Sequence, residues 1–219
     1  MRTAGACEAI GGGALEPRIG DVYDSLRGIA CERALADPFT AHVFACVLAI
    51  AMREAAEMSV SVATGCGLSR SDLCMLAARW LPAAADLLDL SREPESMALD
   101  EEESQLHALL EAHAVDASQE TRWLTAMTTR RSMAANHLWQ DLGLSERSEL
   151  TQLVRERYPA LAARNVQNMK WKKFFYRSLC ELEGFTLCAA PSCQECGDFD
   201  ACFGEENGHS LLARARNGL

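Results

Sequence analysis

Apolar residues recur at helical spacing over positions 21–36 and again over 38–58, and Asp37-Pro38 breaks the two runs. The second run contains FTAHVFACVLAIAMREAAEM, which is apolar on most faces and predicts a core helix. In the next run, GCGLSRSDLCMLAARWLPAAADLL, Ser69 and Asp72 suit a helix N-terminus, and Pro82 marks a stop or kink. SREPESMALDEEES reads as an exposed connector and a helix start. Its Asp100, Glu101, Glu102 and Glu103 carboxylates sit near the positive end of a helix dipole and are expected to be solvated. Consecutive carboxylates point around a helix and do not converge on one metal. Further helices are predicted over 102–113, 118–131, 137–142, 146–158, 159–168 and 170–183, with Pro159 opening one and Gly184 suited to cap the last. No alternating pattern long enough for a strand appears.

The fold class expected is therefore all-α. A flexible N-terminus (1–20) precedes a single helical domain (21–184). An irregular cysteine-rich loop (185–206) and a C-terminal tail (207–219) follow. The 219 residues, 49% hydrophobic, suffice for one substantial core. The N-terminus has no apolar signal region, and no stretch reads as a membrane span, so the expectation is a cytoplasmic protein. A net charge of -10 would repel a phosphate backbone and argues against nucleic acid as a partner.

The ten cysteines change this picture. Without an export signal they are expected to be reduced. Cys7, Cys31, Cys46, Cys66 and Cys74 are scattered and read as structural or incidental. Cys46 and Cys74 lie in apolar helical patterns and should be buried, whereas Cys66, between two glycines in an expected loop, is the one to test for reactivity. In CAAPSCQECGDFDAC, by contrast, Cys188, Cys193, Cys196 and Cys202 follow the spacing C-x4-C-x2-C-x5-C. Four thiols in so short a span can converge on one metal centre, with Pro191 and Gly197 supplying turns. Zinc sites usually pair two C-x2-4-C knuckles across a longer insert, and here the second knuckle is missing. The continuous run matches iron–sulfur usage better, because C-x4-C-x2-C is the spacing of the first plant-type ferredoxin ligands. Glu195, Asp198, Asp200, Glu205 and Glu206 flank the thiols; these carboxylates either stay solvated or reach a hard metal ion.

Three further side chains are candidate ligands. Cys180 ends a predicted helix, where a small buried hydrophobe is the commoner role. His137 opens HLWQDLG, where a hydrogen-bonded structural histidine is commoner than a ligand. His209 follows Cys202 in a tail expected to be mobile. All the lysines of the chain, Lys170, Lys172 and Lys173, fall within four positions, with Arg177 one turn on. In projection Lys170, Lys173 and Arg177 share a face, opposite Trp171, Phe175, Leu179 and Leu182, which should pack on the core. A solvated cationic face is the simple reading; the functional one is attraction of molybdate, balance of a cluster's charge, or docking of an acidic partner.

Taken together, NHLWQDLGL (136–144), MKWKKFFYRSLC (169–180) and the cysteine run ending in CFGEE (202–206) resemble the NifQ family of nitrogen-fixation proteins associated with molybdenum supply. The resemblance is close over the C-terminal half. It implies a non-catalytic carrier, not an enzyme. Such a carrier binds a molybdenum–iron–sulfur cluster and donates molybdenum to biosynthesis of the iron–molybdenum cofactor of nitrogenase. It implies molybdate or a molybdenum-storage source upstream. The implied recipients are the cofactor scaffold complex and the nitrogenase iron protein. From the residues alone two other readings stay open: a conventional [4Fe-4S] electron-transfer or redox-sensing protein, and an interaction protein stapled by structural zinc.

Overall fold

The structure is a computed structural model, and it describes residues 18–29, 31–182, 199–210 and 212–214. Among these residues the secondary structure is helical, with no strand. The order is α1 (Ile19–Arg27), α2 (Glu32–Ala36), α3 (Pro38–Met58), α4 (Val62–Cys66), α5 (Arg70–Trp80), α6 (Ala84–Leu87), α7 (Glu101–Ala112), α8 (Gln119–Ser132), α9 (Leu138–Asp141), α10 (Arg147–Arg157), α11 (Pro159–Arg164), α12 (Trp171–Leu182) and α13 (Phe199–Phe203).

Helix α3 is the axis of the domain. Pro38 occupies its first turn, where the missing N–H costs nothing, and the Asp37 carboxylate accepts from the Thr40 N–H at 3.0 Å. Every residue from Val43 to Ala51 is buried, which explains the weak amphipathic pattern of this stretch. At 21 residues it is the described helix long and apolar enough to cross a membrane, yet most of it is buried inside the protein, as in a core helix. Phe44 packs edge-on against Trp80 (5.4 Å between centroids) and Trp123 (6.1 Å), joining α3 to α5 and α8. The indole N–H of Trp123 donates to Asp72 at 2.9 Å, so this aromatic core keeps its polar edge satisfied.

The predicted starts at Ser69, Asp100 and Ser118 are real caps: each side chain accepts a backbone N–H from the residue three positions on. Pro82 does separate two helices, α5 and α6. Several expectations are corrected. The run 21–36 is two helices, interrupted after Gly28. Helix α11 stops at Arg164, where Asn165 exchanges hydrogen bonds with the backbone of Met169, ahead of a left-handed Asn168. Glu103 is not solvated: it is 1% exposed and pairs with Arg130 at 2.9 Å, while Asp100, Glu101 and Glu102 do face solvent. The buried face of α12 is Trp171, Phe174, Phe175 and Ser178, with Leu179 at its edge, and Leu182 is exposed. This face is rotated toward Phe174 because the three aromatic rings pack as one edge-on and tilted cluster.

Among the scattered cysteines, Cys46 is buried as expected, Cys31 is half-buried and donates toward the carbonyls of Arg79 and Trp80, and Cys74 is exposed. Cys66 is not in a loop. It closes α4, is fully buried, and desolvation pushes its thiol up to about 12 despite the nearby Arg131 guanidinium. A thiol so held is not a nucleophile near neutral pH. Cys7 lies outside the described residues.

Candidate metal centre

Cys188, Cys193 and Cys196 lie outside the described residues, as does Gly184. The end of the motif is described, and it is ordered differently from the irregular loop expected of it. Cys202 sits on the short helix α13, half-buried, and with Phe203 it packs at the edge of the hydrophobic core.

Two contacts dock α13 against the start of α12. The Lys170 backbone N–H donates to the Cys202 carbonyl at 2.8 Å, and the Lys170 ammonium donates to the Asp200 carbonyl at 2.8 Å. The Asp200 carbonyl also accepts the Gly204 N–H, which turns the chain away from the helix. The backbone carbonyls of Asp200 and Cys202 thus help position the last motif cysteine.

Beyond it, Glu206 is clamped. Its side chain is only 5% exposed, with one carboxylate oxygen 3.4 Å from His137 Nδ1 and the other 3.2 Å from Arg147 Nε. The Arg147 guanidinium is itself held by donation to the carbonyls of Asn168 (3.0 Å) and Met169 (2.9 Å). Glu206 is thus neither solvated nor free for a hard metal ion; it anchors the segment to α9 and α10. Asp200 and Glu205 are exposed. The sequence signal for this anchor was weak, because its partners stand some sixty residues upstream and a carboxylate between Glu205 and Asn207 reads as surface.

Helix α9 places His137 at its N-terminus. Leu138, Trp139 and Leu142 bury the short helix in the core. The Gly143 turn, at φ 77°, lets it press on α3, since a Cβ there would stand 2.8 Å from Ile50 Cδ1. Gln140 accepts the His137 N–H at 3.2 Å and donates to the Asn207 carbonyl at 3.3 Å, tying the tail to α9. The described part of the tail is docked, with Ser210 and Leu212 buried. His209 itself is exposed and makes no hydrogen bond or ion pair among the described residues. Cys180 is half-buried on the last turns of α12.

The cationic cluster divides. Lys172 donates to the Asp141 carboxylate and to the Ala134 carbonyl, both at 2.6 Å, and Asp141 also accepts from Asn136 at 2.9 Å. Lys170, Lys172 and Lys173, together with Arg214, His137 and Glu206, line one pocket of about 530 Å³. Arg177 is not part of it: it pairs with Glu181 at 2.9 Å and borders a separate groove. Lys173 and Arg177 do lie one turn apart on α12, but Arg177 is farther from the docked α13 and pairs along its own helix with Glu181.

Among the described residues no three His, Cys, Asp or Glu side chains form a metal-holding group. The fit to a metal–sulfur centre rests on the donor set: four thiols in one run, the nearest buried carboxylate already committed to Arg147 and His137, and a positively charged flank beside Cys202.

Comparison with known proteins agrees with the motifs. The NifQ family model matches residues 43–204, a span that includes all four motif cysteines. The chain is 41% identical over 174 residues to the "Protein NifQ homolog" of Sinorhizobium fredii, covering 78% of this chain and 75% of that one. It is 41% identical over 158 residues to "Protein NifQ" of Rhodobacter capsulatus (72% and 86%) and 38% identical over 140 residues to that of Azotobacter vinelandii (64% and 68%). No solved structure matches. The chain belongs to the NifQ family of nitrogen-fixation proteins.

Proposed function

We propose that this protein is a non-catalytic carrier that holds molybdenum in an iron–sulfur environment at Cys188, Cys193, Cys196 and Cys202 and releases it to assembly of the iron–molybdenum cofactor of nitrogenase. The observation that carries this reading is the docking of Cys202 beside a pocket rich in lysine and arginine, in a chain whose net charge is -10. Local positive charge there offsets a thiolate- and sulfide-rich cargo. Molybdenum supplied as molybdate is a hard oxyanion, and sulfur donors around it favour exchange of oxygen for sulfur ligands before delivery.

The residues have distinct tasks on this reading. The four thiolates hold iron and molybdenum. Glu206, with His137 and Arg147, fixes the segment, and Lys170 fixes α13. A carrier must also let its cargo go, which suits a site at the edge of the core better than one enclosed by it. The recipients proposed are the cofactor scaffold complex and the nitrogenase iron protein.

Anaerobic purification from molybdate-supplied cells, followed by analysis for Mo, Fe, Zn and acid-labile sulfide, tests the reading. Molybdenum with iron and sulfide is expected. Zinc alone without sulfide would replace it by a structural-zinc role, and iron and sulfide without molybdenum by electron transfer or redox sensing.

A further inference from the structure

The charges around the pocket beside Cys202 do not cancel. Lys172 is neutralised by Asp141, and Glu206 is neutralised by Arg147, with His137 beside its other oxygen. What remains is Lys170, Lys173 and Arg214, three cations facing about 530 Å³ of space, and none of the three makes an ion pair among the described residues.

Two of the ammonium groups are also pre-oriented. An ammonium has three N–H donors. Lys170 spends one on the Asp200 carbonyl and Lys172 spends two, on Asp141 and on the Ala134 carbonyl, so donors remain on both. Gln140 and Asn136 each commit one amide N–H, to Asn207 and to Asp141, and each keeps another. The wall therefore offers spare donors from several directions, and its one lining carboxylate is already engaged. Such a wall repels cations and suits an acceptor-only ligand with oxygens on all sides. At about 30 Å³ per water in the liquid, the space holds a small oxyanion with part of its hydration shell.

We infer that this pocket binds a doubly charged tetrahedral oxyanion, and, resting on the carrier reading above, that it is where molybdate waits beside the cysteine segment. Lys173 and Arg214 supply the accessible charge, and Lys170 and Lys172 the fixed donors. Ala201 lines the same pocket one residue from Cys202, so an anion held there lies next to the segment that would receive its metal.

The test is equilibrium dialysis of the full chain, freed of metal by chelation, against molybdate, with sulfate and phosphate in separate arms. Saturable binding of one molybdate per chain is expected, weakened at least about tenfold in Lys173→Gln and in Arg214→Gln, the scale of one charge-assisted hydrogen bond. Arg155→Gln, on a different groove, should bind like the wild type. Preference for molybdate over sulfate and phosphate identifies the cargo anion as the ligand; equal binding of all three identifies a general oxyanion pocket and upholds the site. Absence of saturable binding by any of the anions, or unchanged affinity in both pocket variants with wild-type circular dichroism, overturns it. The assay needs no cluster. Failure here with molybdenum still present in the anaerobic protein rejects the pocket alone, and success with a molybdenum-free anaerobic protein rejects the carrier reading alone.

Discussion

The interior around α3, α7 and α8 and the end of the domain around α9, α12 and α13 both contain paired charges, but they use them differently. In the interior, Arg131, 4% exposed, points one nitrogen at both oxygens of Glu54 (2.8 Å each), and Glu103 meets Arg130. These pairs join α3 to α8 and α7 to α8, and none of their residues lines the pocket beside Cys202. At the other end, Lys172–Asp141 and Glu206–Arg147–His137 are just as well matched, yet they frame a pocket and leave three cations over. Pairing in the interior offsets part of the cost of buried charge. Pairing at the C-terminal end fixes a segment while sparing charge for something else.

Two parallel truncations would break that contrast most sharply. Removing one partner of a buried pair costs about 3 kcal/mol, so Glu103→Ala and Glu206→Ala should both lower stability by that order in denaturant titration. Only Glu206→Ala should also lower metal content per folded chain, because only Glu206 holds the cysteine segment. Equal metal content in the two variants would erase the distinction.

Gly143→Ala is expected to cost about 2 kcal/mol or more, since it combines a left-handed backbone with a clash against Ile50. Because Gly143 seats α9 on α3, thermal denaturation should show the loss. Nuclear magnetic resonance should show the His137 and Trp139 signals moving most.

The scattered cysteines sharpen the same comparison by reactivity. At pH 8 the exposed Cys74 should react with iodoacetamide at least about tenfold faster than Cys66, whose burial holds it as a neutral thiol. Peptide mass spectrometry of the native protein reads this directly; comparable labelling would mean that the α3–α4 contact opens readily.

The smallest effect concerns acid. Hydrogen bonds from the Ser118 hydroxyl, from Thr121 and from the Ser118 N–H hold the exposed Asp116 carboxyl down to about 2, below the unfolded value of about 3.9. Its contribution is therefore full above about pH 4 and is lost as pH falls toward 2. Asp116→Asn should flatten the acid limb of the stability curve by less than about 1 kcal/mol, as expected for a group in water. An unchanged curve between pH 4 and 2 would show that the Ser118 bonds contribute nothing.

Much of the helical frame was legible because local chemistry specifies it. Ser69, Asp100 and Ser118 announce helix starts, and Pro38 and Pro159 occupy first turns. What escaped depends on partners distant in sequence. Glu103 and Glu206 look like surface carboxylates until Arg130, Arg147 and His137 arrive from other helices. Helix α13, at five residues, is too short to show a period, and Cys66 looks like a loop residue because glycines flank it. The cationic stretch at 170–173 was visible in the sequence. Its division into a pocket and a separate Arg177–Glu181 pair was not, since it depends on where α13 docks along α12.

The central claim is that molybdenum is carried in order to leave. Its most direct measurement is anaerobic incubation of the metal-loaded protein with the purified cofactor scaffold complex, with and without the nitrogenase iron protein, followed by separation and molybdenum analysis of each component. The account predicts that molybdenum moves to the scaffold from the wild-type chain, and that a Cys202→Ala chain, which fails to load, transfers none. Molybdenum that stays with the wild-type chain under those conditions would contradict it.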